Sequence, residues 1–317
     1  MNVLTENLII QSGILIISLV GLIFFADKLL IASTRLARAL GISDAVIGLT
    51  LLAYGTSLPE FSVSAISTLS NHPELSVSNV LGSNIFNIAF IIGLAAFIRP
   101  FTVAEANLIG RDNYIMIITA LLLTFLLFFF DGINRITGVF MVLILVIYTY
   151  YIFDQERHSG TQKKDESISR LKEVSIVLLC FIFVIVSGKL AVDSGIQVAR
   201  ALGVSEWLIG ATIIAVGTSL PELVVSVTAA KKGLFGIAIG NIVGSNIFNI
   251  MWILGFSASV NPILLDFDLI KWDLVFFLGV TGIMAYHLKK AKFSRIAGQL
   301  FVMIYMGYMA YLLIGSM

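Results

Sequence analysis

Long apolar runs separated by short polar breaks extend along the whole chain. An α-helix rises about 1.5 Å per residue, so about 20 apolar residues cross a hydrocarbon core of about 30 Å. The pattern therefore predicts an all-α polytopic membrane protein with ten transmembrane helices. They are expected at residues 8–34, 44–70, 77–98, 113–130, 136–153, 173–198, 206–230, 236–259, 271–288 and 296–315.

The composition of the 317 residues agrees with a lipid environment. Hydrophobic residues make up 58%, charged residues 12%, and the mean hydropathy is +1.01. Soluble domains are about 45–50% apolar and about 25% charged. The net charge of +1 argues against a nucleic-acid partner, which would need a basic face. The single cysteine, Cys180, excludes an intrachain disulfide framework and a cysteine-based metal cluster.

The distribution of Lys and Arg predicts the orientation. If the first residues lie outside, the cytoplasmic loops hold 15 of the 20 basic residues and the external loops hold three. Cytoplasmic loops carry such an excess in membrane proteins. We therefore expect a multi-pass protein of the cell membrane, with both termini outside and the charged stretch 154–172 as a cytoplasmic linker.

The two parts of the chain repeat each other at an offset of 162 residues. A gapless match of 37–93 with 199–255 gives 28 identities in 57 positions. The shared blocks include G-T-S-L-P-E (55–60 and 217–222) and G-S-N-I-F-N-I (82–88 and 244–250). Such a match indicates an internal duplication.

Five helices per repeat is an odd number, so the second repeat must enter the membrane from the opposite side. The sequence thus predicts two inverted repeats, 1–153 and 173–317, joined by the linker 154–172. Inverted repeats are typical of transporters whose binding site lies near mid-membrane on interrupted helices.

The G-T-S-L-P-E block predicts a broken helix that carries a carboxylate. Pro59 removes a backbone donor inside an apolar helix, and the carbonyls that it frees need another partner in lipid. Ala53, Thr56 and Glu60 share one helical face, and the second repeat has the equivalents Ala215, Thr218 and Glu222. A kinked helix with incidental polar residues would explain the proline but not a charged residue at mid-bilayer, which usually marks an ion or proton path.

The G-S-N-I-F-N block adds amide and hydroxyl oxygens. Ser83 and Asn87 share one face, as do Ser245 and Asn249. Close helix packing is a second interpretation, because Gly82 and Gly244 belong to small-xxx-small patterns. We expect both roles, whereas Asn84 and Asn246 are predicted to be structural.

Together these residues supply carboxylate, amide, hydroxyl and carbonyl oxygens without a thiolate. Such donors favour Ca²⁺, Mg²⁺ or Na⁺ over zinc, copper or iron. Two carboxylates neutralise one divalent ion, and Na⁺ ions sharing the same oxygens would compete with it. Competition of this kind is the physical basis of exchange.

The paired blocks resemble the α-repeats of the cation/Ca²⁺ exchanger superfamily, most closely those of prokaryotic Na⁺/Ca²⁺ exchangers. The resemblance implies alternating access, in which the first and sixth helices slide past a bundle holding the site, and electrogenic exchange of three Na⁺ for one Ca²⁺. It implies a metal site and no cofactor. The implied ligands are the side chains of Thr56, Glu60, Ser83, Asn87, Thr218, Glu222, Ser245 and Asn249 and the carbonyls of Ala53 and Ala215, with Ser57, Ser219 and the carbonyls of Gly82 and Gly244 as lesser contributors.

Two positions distinguish the branches of this superfamily. Potassium-dependent relatives, and some archaeal ones, carry Asp where this chain has Asn249. Proton-coupled relatives typically have Glu in a G-N-x-x-E motif, where this chain has Gly244. The sequence therefore favours a Na⁺/Ca²⁺ antiporter, with an H⁺/Ca²⁺ antiporter as the alternative.

Other classes of protein fit the sequence less well. A cation channel could use the same oxygens, but one two-fold site suits occlusion better than multi-ion conduction. An intramembrane enzyme would need a base near Ser57 or Ser219, and the three histidines lie at loops or helix ends. We expect no enzymatic activity and no obligate protein partner.

Overall fold

A computed structural model describes the backbone of residues 3–159, 165, 167–203 and 215–315. Almost all of the described chain is helical. The helices are α1 (Val3–Leu40), α2 (Asp44–Thr56), α3 (Leu58–Leu69), α4 (Pro73–Ile98), α5 (Leu108–Phe130), α6 (Arg135–Ser159), α7 (Arg170–Ala201), α8 (Ala215–Gly217), α9 (Leu220–Lys232), α10 (Phe235–Val260), α11 (Phe267–Lys289) and α12 (Arg295–Gly315).

The described helices agree with the ten predicted spans. Eight single helices are long and apolar enough to cross a membrane, and α2 with α3 forms a further span bent by 46°. The predicted seventh span, 206–230, is described only from residue 215, as α8 and α9; its first residues lie outside the described chain. The protein is thus an all-α polytopic membrane protein built from two inverted repeats.

The ends of some helices differ from the predicted ones. Helix α6 runs to Ser159, so the first part of the charged stretch 154–172 is helical rather than loop. Its residue Glu156 is buried and accepts hydrogen bonds from the backbone N–H and the hydroxyl of Ser43, at 3.1 and 3.2 Å. That contact with the start of α2 explains why the charged segment continues as a helix.

Both repeats contain the break that their prolines predict. The helical backbone is interrupted at Ser57 (φ −82°, ψ 9°) and at Ser219 (φ −88°, ψ 9°). Pro59 and Pro221 then occupy the first turn of α3 and α9, where a missing N–H costs nothing. Each break lies next to the glutamate of its repeat.

Helices α4 and α10 lie at the centre of the molecule. Of the 18 most apolar consecutive residues of α10, 94% are buried, whereas in α1, which faces lipid, the same fraction is 11%. A Cβ at Gly240 would lie 2.6 Å from the Ala45 carbonyl oxygen, so α10 can cross α2 only because this position is glycine. The predicted close packing at this small-xxx-small pattern is therefore observed. In the Ser78-x-x-x-Gly82 pattern of the first repeat, a Cβ at Gly82 would meet no described atom within 4 Å.

Two short antiparallel strand pairs join loops of opposite repeats, and the sequence did not predict them. Strand β1 (Phe101–Thr102) pairs with β4 (Lys292–Phe293), and β2 (Gly132–Ile133) pairs with β3 (Ile263–Leu264). Because β1 and β3 are equivalent in the two repeats, as are β2 and β4, the second pair is the inverted copy of the first.

Candidate cation-binding site

Two carboxylates from opposite repeats lie at the centre of the bundle. Glu60 in α3 and Glu222 in α9 are both 0% exposed. Each accepts a hydrogen bond from the serine at the helix break of the other repeat. The Ser219 hydroxyl donates to Glu60 Oε1 at 2.7 Å, and the Ser57 hydroxyl donates to Glu222 Oε1 at 2.9 Å. The inverted repeat therefore brings the four side chains together, as the sequence predicted for the glutamates.

The second oxygen of each carboxylate has no protein donor. Glu60 Oε2 and Glu222 Oε2 are buried, and neither has a hydrogen-bond partner among the described residues. A buried charged oxygen without a partner is costly, and a bound cation removes that cost. The two glutamates thus leave a pair of free acceptors in the protein interior.

Further predicted ligands donate hydrogen bonds to Glu60 or to backbone carbonyls. The Ser83 hydroxyl donates to Glu60 Oε1 at 3.4 Å, and the Ser245 hydroxyl donates to the Ala53 carbonyl at 3.4 Å. The buried Thr56 hydroxyl donates within its own helix to the Leu52 carbonyl, at 3.0 Å, so its oxygen lone pairs stay available.

In the second repeat, fewer of the predicted ligands are described. The Thr218 hydroxyl oxygen is buried and makes no hydrogen bond within the described part of the chain. The carbonyl predicted as its neighbour belongs to Ala215, the first described residue of α8, whose side chain lies outside the described set.

The amides are arranged less symmetrically than the carboxylates. The Asn249 side chain donates to Asn84 Oδ1 at 2.9 Å, and its own Oδ1 has no partner in the described structure. Neither amide atom of Asn87 has a hydrogen-bond partner in the described chain, and the same holds for Asn246. Asn84 also donates to the Asn246 carbonyl at 3.4 Å. Asn84 therefore orients a predicted ligand, a more specific role than the general structural one expected.

Both candidate asparagine ligands lie where the helix widens. Segments of π-helix run over Phe86–Ile92 in α4 and Asn249–Leu254 in α10. Such segments are rare and frequent at functional sites, because the wider turn re-aims side chains and carbonyls. Hydropathy carries no signal for them, and the sequence did not predict them.

A second pair of asparagines supports the glutamate helices. Asn79 donates to the Ser64 hydroxyl at 2.9 Å, and Asn241 donates to the Ser226 hydroxyl at 2.9 Å. Asn79 also donates to the Glu60 carbonyl at 3.3 Å. The sequence analysis did not single out this pair. The asparagine and the serine are each identical in the two repeats, and that identity was the signal that could have identified them.

A cavity of about 400 Å³ lies beside the two helix breaks. It is bounded by Pro59, Thr218 and Pro221 at the helix breaks and by α7, which contributes Lys189 and Asp193.

Carboxylate, hydroxyl, amide and carbonyl oxygens are the donors that this site offers, and they suit a hard cation. The match to known proteins agrees with this chemistry. Residues 10–153 and 172–314 match the family model described as sodium/calcium exchanger protein. The chain belongs to this exchanger family.

Individual relatives cover most of the exchanger chain. The sodium/calcium exchanger MaX1 of Methanosarcina acetivorans is 32% identical over 79% of this chain and 83% of its own length. Inner membrane protein YrbG of Escherichia coli is 35% identical over 80% of this chain and 81% of its own. The solved structure of the sodium-calcium exchanger NCX_Mj soaked with zero Na⁺ and Ca²⁺ is 31% identical, covers 96% of this chain and 99% of that chain, and superposes with a TM-score of 0.85.

These findings confirm the predicted family and the polytopic exchanger fold. The family consists of membrane transporters rather than enzymes, and together with the NCX_Mj structure it supports cation/Ca²⁺ exchange as the class of function.

Proposed function

We propose that the protein is a Na⁺/Ca²⁺ antiporter that exchanges the two ions electrogenically, by alternating access to one mid-membrane site. The observation that carries this proposal is the pair of buried glutamates from opposite repeats, each with one unpaired oxygen. One Ca²⁺ between them would neutralise both charges. Several Na⁺ ions would use the same oxygens, so the two ions cannot be bound together at full occupancy.

The proposed ligand set is the one that the resemblance implied. Its charge is limited to two negative units, because Asn87 and Asn249 are neutral. The hydrogen bonds that Ser57 and Ser219 donate to the glutamates support a closer role for these serines than the lesser one expected. The ligands of the site are proposed to be Ala53 (carbonyl), Thr56, Ser57, Glu60, Ser83, Asn87, Ala215 (carbonyl), Thr218, Ser219, Glu222, Ser245 and Asn249.

We infer alternating access from the position of α7. Helices α1 and α7 pack along each other, and α7 also forms one wall of the cavity beside the helix breaks. A movement of this pair along the bundle would close the cavity and open the opposite side. In the proposed topology, both termini lie outside, and the segment 154–172 joins the repeats 1–153 and 173–317 in the cytoplasm.

The proposal is tested by ⁴⁵Ca²⁺ uptake into proteoliposomes loaded with Na⁺. Liposomes loaded with K⁺ or choline at equal ionic strength serve as controls, and each is run with and without a pH gradient. We expect uptake only from Na⁺-loaded vesicles. Uptake driven by the pH gradient without Na⁺ would overturn Na⁺ coupling in favour of H⁺/Ca²⁺ exchange, and uptake that needs no counter-ion would indicate a channel.

A further inference from the structure

A basic cavity lies at the end of the bundle where β1 pairs with β4. Its volume is about 570 Å³, and its lining includes three cationic side chains, those of Arg99, Lys292 and Arg295. No carboxylate occurs among its described lining residues. A pocket with this charge selects an anionic ligand.

The cavity lies where α4 ends and α12 begins, at the ends of two helices long and apolar enough to span a membrane. Arg99 directly follows the last residue of α4, and Arg295 is the first residue of α12. Their neighbours Ile98 and Ile296 are apolar and 38% and 77% exposed. Cationic side chains beside exposed aliphatic ones match the border between headgroups and acyl chains.

The floor of the cavity is fixed before any ligand binds. The Arg99 guanidinium donates to the Lys231 carbonyl at 2.7 Å and lies 5.4 Å from the centre of the Phe235 ring. Phe101 stacks on Phe235 and on Phe293, with ring centres 4.8 and 4.9 Å apart. A guanidinium held in this way loses little further freedom when it binds an anion.

The inverted repeat supplies an internal comparison at the other end of the molecule. Asn261 is the equivalent of Arg99, and its amide donates to the Thr68 carbonyl at the end of α3, at 3.0 Å. In the strand pair next to Asn261, Gly132 of β2 occupies the position that Lys292 occupies in β4. The strand pairing at that end therefore forms with a neutral amide and a glycine, so Arg99 and Lys292 are not required for it. The equivalent of Arg295 is the cationic Arg135, the first residue of α6.

We propose that the basic cavity binds the phosphate headgroup of an anionic phospholipid. Guanidinium groups pair with phosphate through two parallel hydrogen bonds, and basic pockets between transmembrane helices bind anionic headgroups. Because the cavity is formed by residues of both repeats, the bound lipid stabilises the contact between them. This site is separate from the glutamates and does not depend on which ions are exchanged.

The test uses the purified full-length protein in a neutral detergent. Dioleoylphosphatidylglycerol, dioleoylphosphatidylcholine or sodium phosphate is added, and the thermal unfolding temperature and the lipid retained in native mass spectra are measured. We expect phosphatidylglycerol alone to raise the unfolding temperature and to be retained. Lys292→Gln with Arg295→Gln should weaken this binding by roughly fivefold for each charge removed.

Two further variants separate lipid binding from folding. Arg99→Asn installs the residue that Asn261 provides at the opposite end, so it should fold and yet bind phosphatidylglycerol more weakly. Arg135→Gln removes an exposed cation at that opposite end and should retain the lipid like the unaltered protein. Equal retention by the Lys292/Arg295 variant and by Arg135→Gln would overturn the proposal, as would equal effects of phosphatidylcholine or of free phosphate.

Discussion

At the scale of single residues, Glu60 and Glu222 are bound to the opposite repeat through one oxygen each and leave the other oxygen unpaired. The serine hydrogen bond fixes the carboxylate, and the unpaired oxygen is the one free to bind a cation. If a glutamate only held the repeats together, a buried oxygen without a partner would cost free energy and contribute nothing to that contact.

The glutamates can be tested by isosteric replacement. Glu60→Gln and Glu222→Gln should each reduce Na⁺-driven Ca²⁺ uptake to the rate of protein-free liposomes, because one carboxylate cannot neutralise a divalent ion in a dry site. The measurement is ⁴⁵Ca²⁺ uptake by proteoliposomes of equal protein content. Asp273→Asn is the matched control, since Asp273 lies in α11 and accepts a hydrogen bond from the Tyr308 hydroxyl at 2.8 Å. Near-normal uptake in both glutamine variants would refute the site assignment.

Position 249 tests how the charge of the site sets its ion preference. Asn249→Asp adds a third carboxylate and also loses the amide that donates to Asn84. We expect Ca²⁺ uptake in this variant to depend on external K⁺, because a third negative charge can be balanced by a further monovalent cation. Uptake is measured with and without K⁺ for the variant and the unaltered protein. K⁺ independence in both would contradict the role given to Asn249.

At the scale of elements, the broken helices and the crossing of α2 with α10 position the site. Gly240 lies at a close approach within that crossing, because an added Cβ would meet the Ala45 carbonyl at 2.6 Å. Gly240→Ala should therefore destabilise the fold by about 1–3 kcal/mol through overpacking.

Thermal unfolding in detergent measures this effect. Gly279→Ala in α11 is the control, since a Cβ at Gly279 would meet no described atom within 4 Å. We expect a lower unfolding temperature for Gly240→Ala and a value near that of the unaltered protein for Gly279→Ala. Equal values for the two variants would show that the close approach of α2 and α10 is not critical.

Some elements could be predicted from the sequence and others could not. Long apolar runs are needed to cross lipid, and proline is strongly disfavoured in a helix interior, so the spans and the breaks near Glu60 and Glu222 follow from local sequence. The strand pair of β1 with β4 joins residues almost 200 positions apart, and the π-helical segments depend on packing in three dimensions. No periodicity in the chain encodes either feature.

The same distinction applies within the site. Repeat identity pointed to the glutamates, serines and asparagines because duplication preserved them. It could not show that Asn249 bonds to Asn84 whereas Asn87 bonds to no described residue, since the two repeats have identical residues at these positions. That asymmetry arises from the packing of two copies that are equivalent but not superposable.

At the scale of the whole molecule, the proposed exchange of three Na⁺ for one Ca²⁺ would move one net positive charge out of a Na⁺-loaded vesicle for each Ca²⁺ that enters. An inside-positive potential should therefore raise the steady-state Ca²⁺ ratio, by roughly 50-fold per 100 mV at full coupling. Potentials set with valinomycin and K⁺ gradients test this in proteoliposomes. A ratio that does not respond to the potential would indicate electroneutral exchange of two Na⁺ for one Ca²⁺.

In the proposed exchange, Ca²⁺ and Na⁺ compete for one site formed by Glu60 and Glu222. This competition is tested most directly by calorimetric titration of Ca²⁺ into the purified protein in choline chloride, repeated at increasing concentrations of NaCl. We expect one Ca²⁺ per chain, an apparent affinity that falls steeply as Na⁺ rises, and no binding in Glu60→Gln or Glu222→Gln. Ca²⁺ binding that is indifferent to Na⁺, or that persists in both variants, would contradict this expectation.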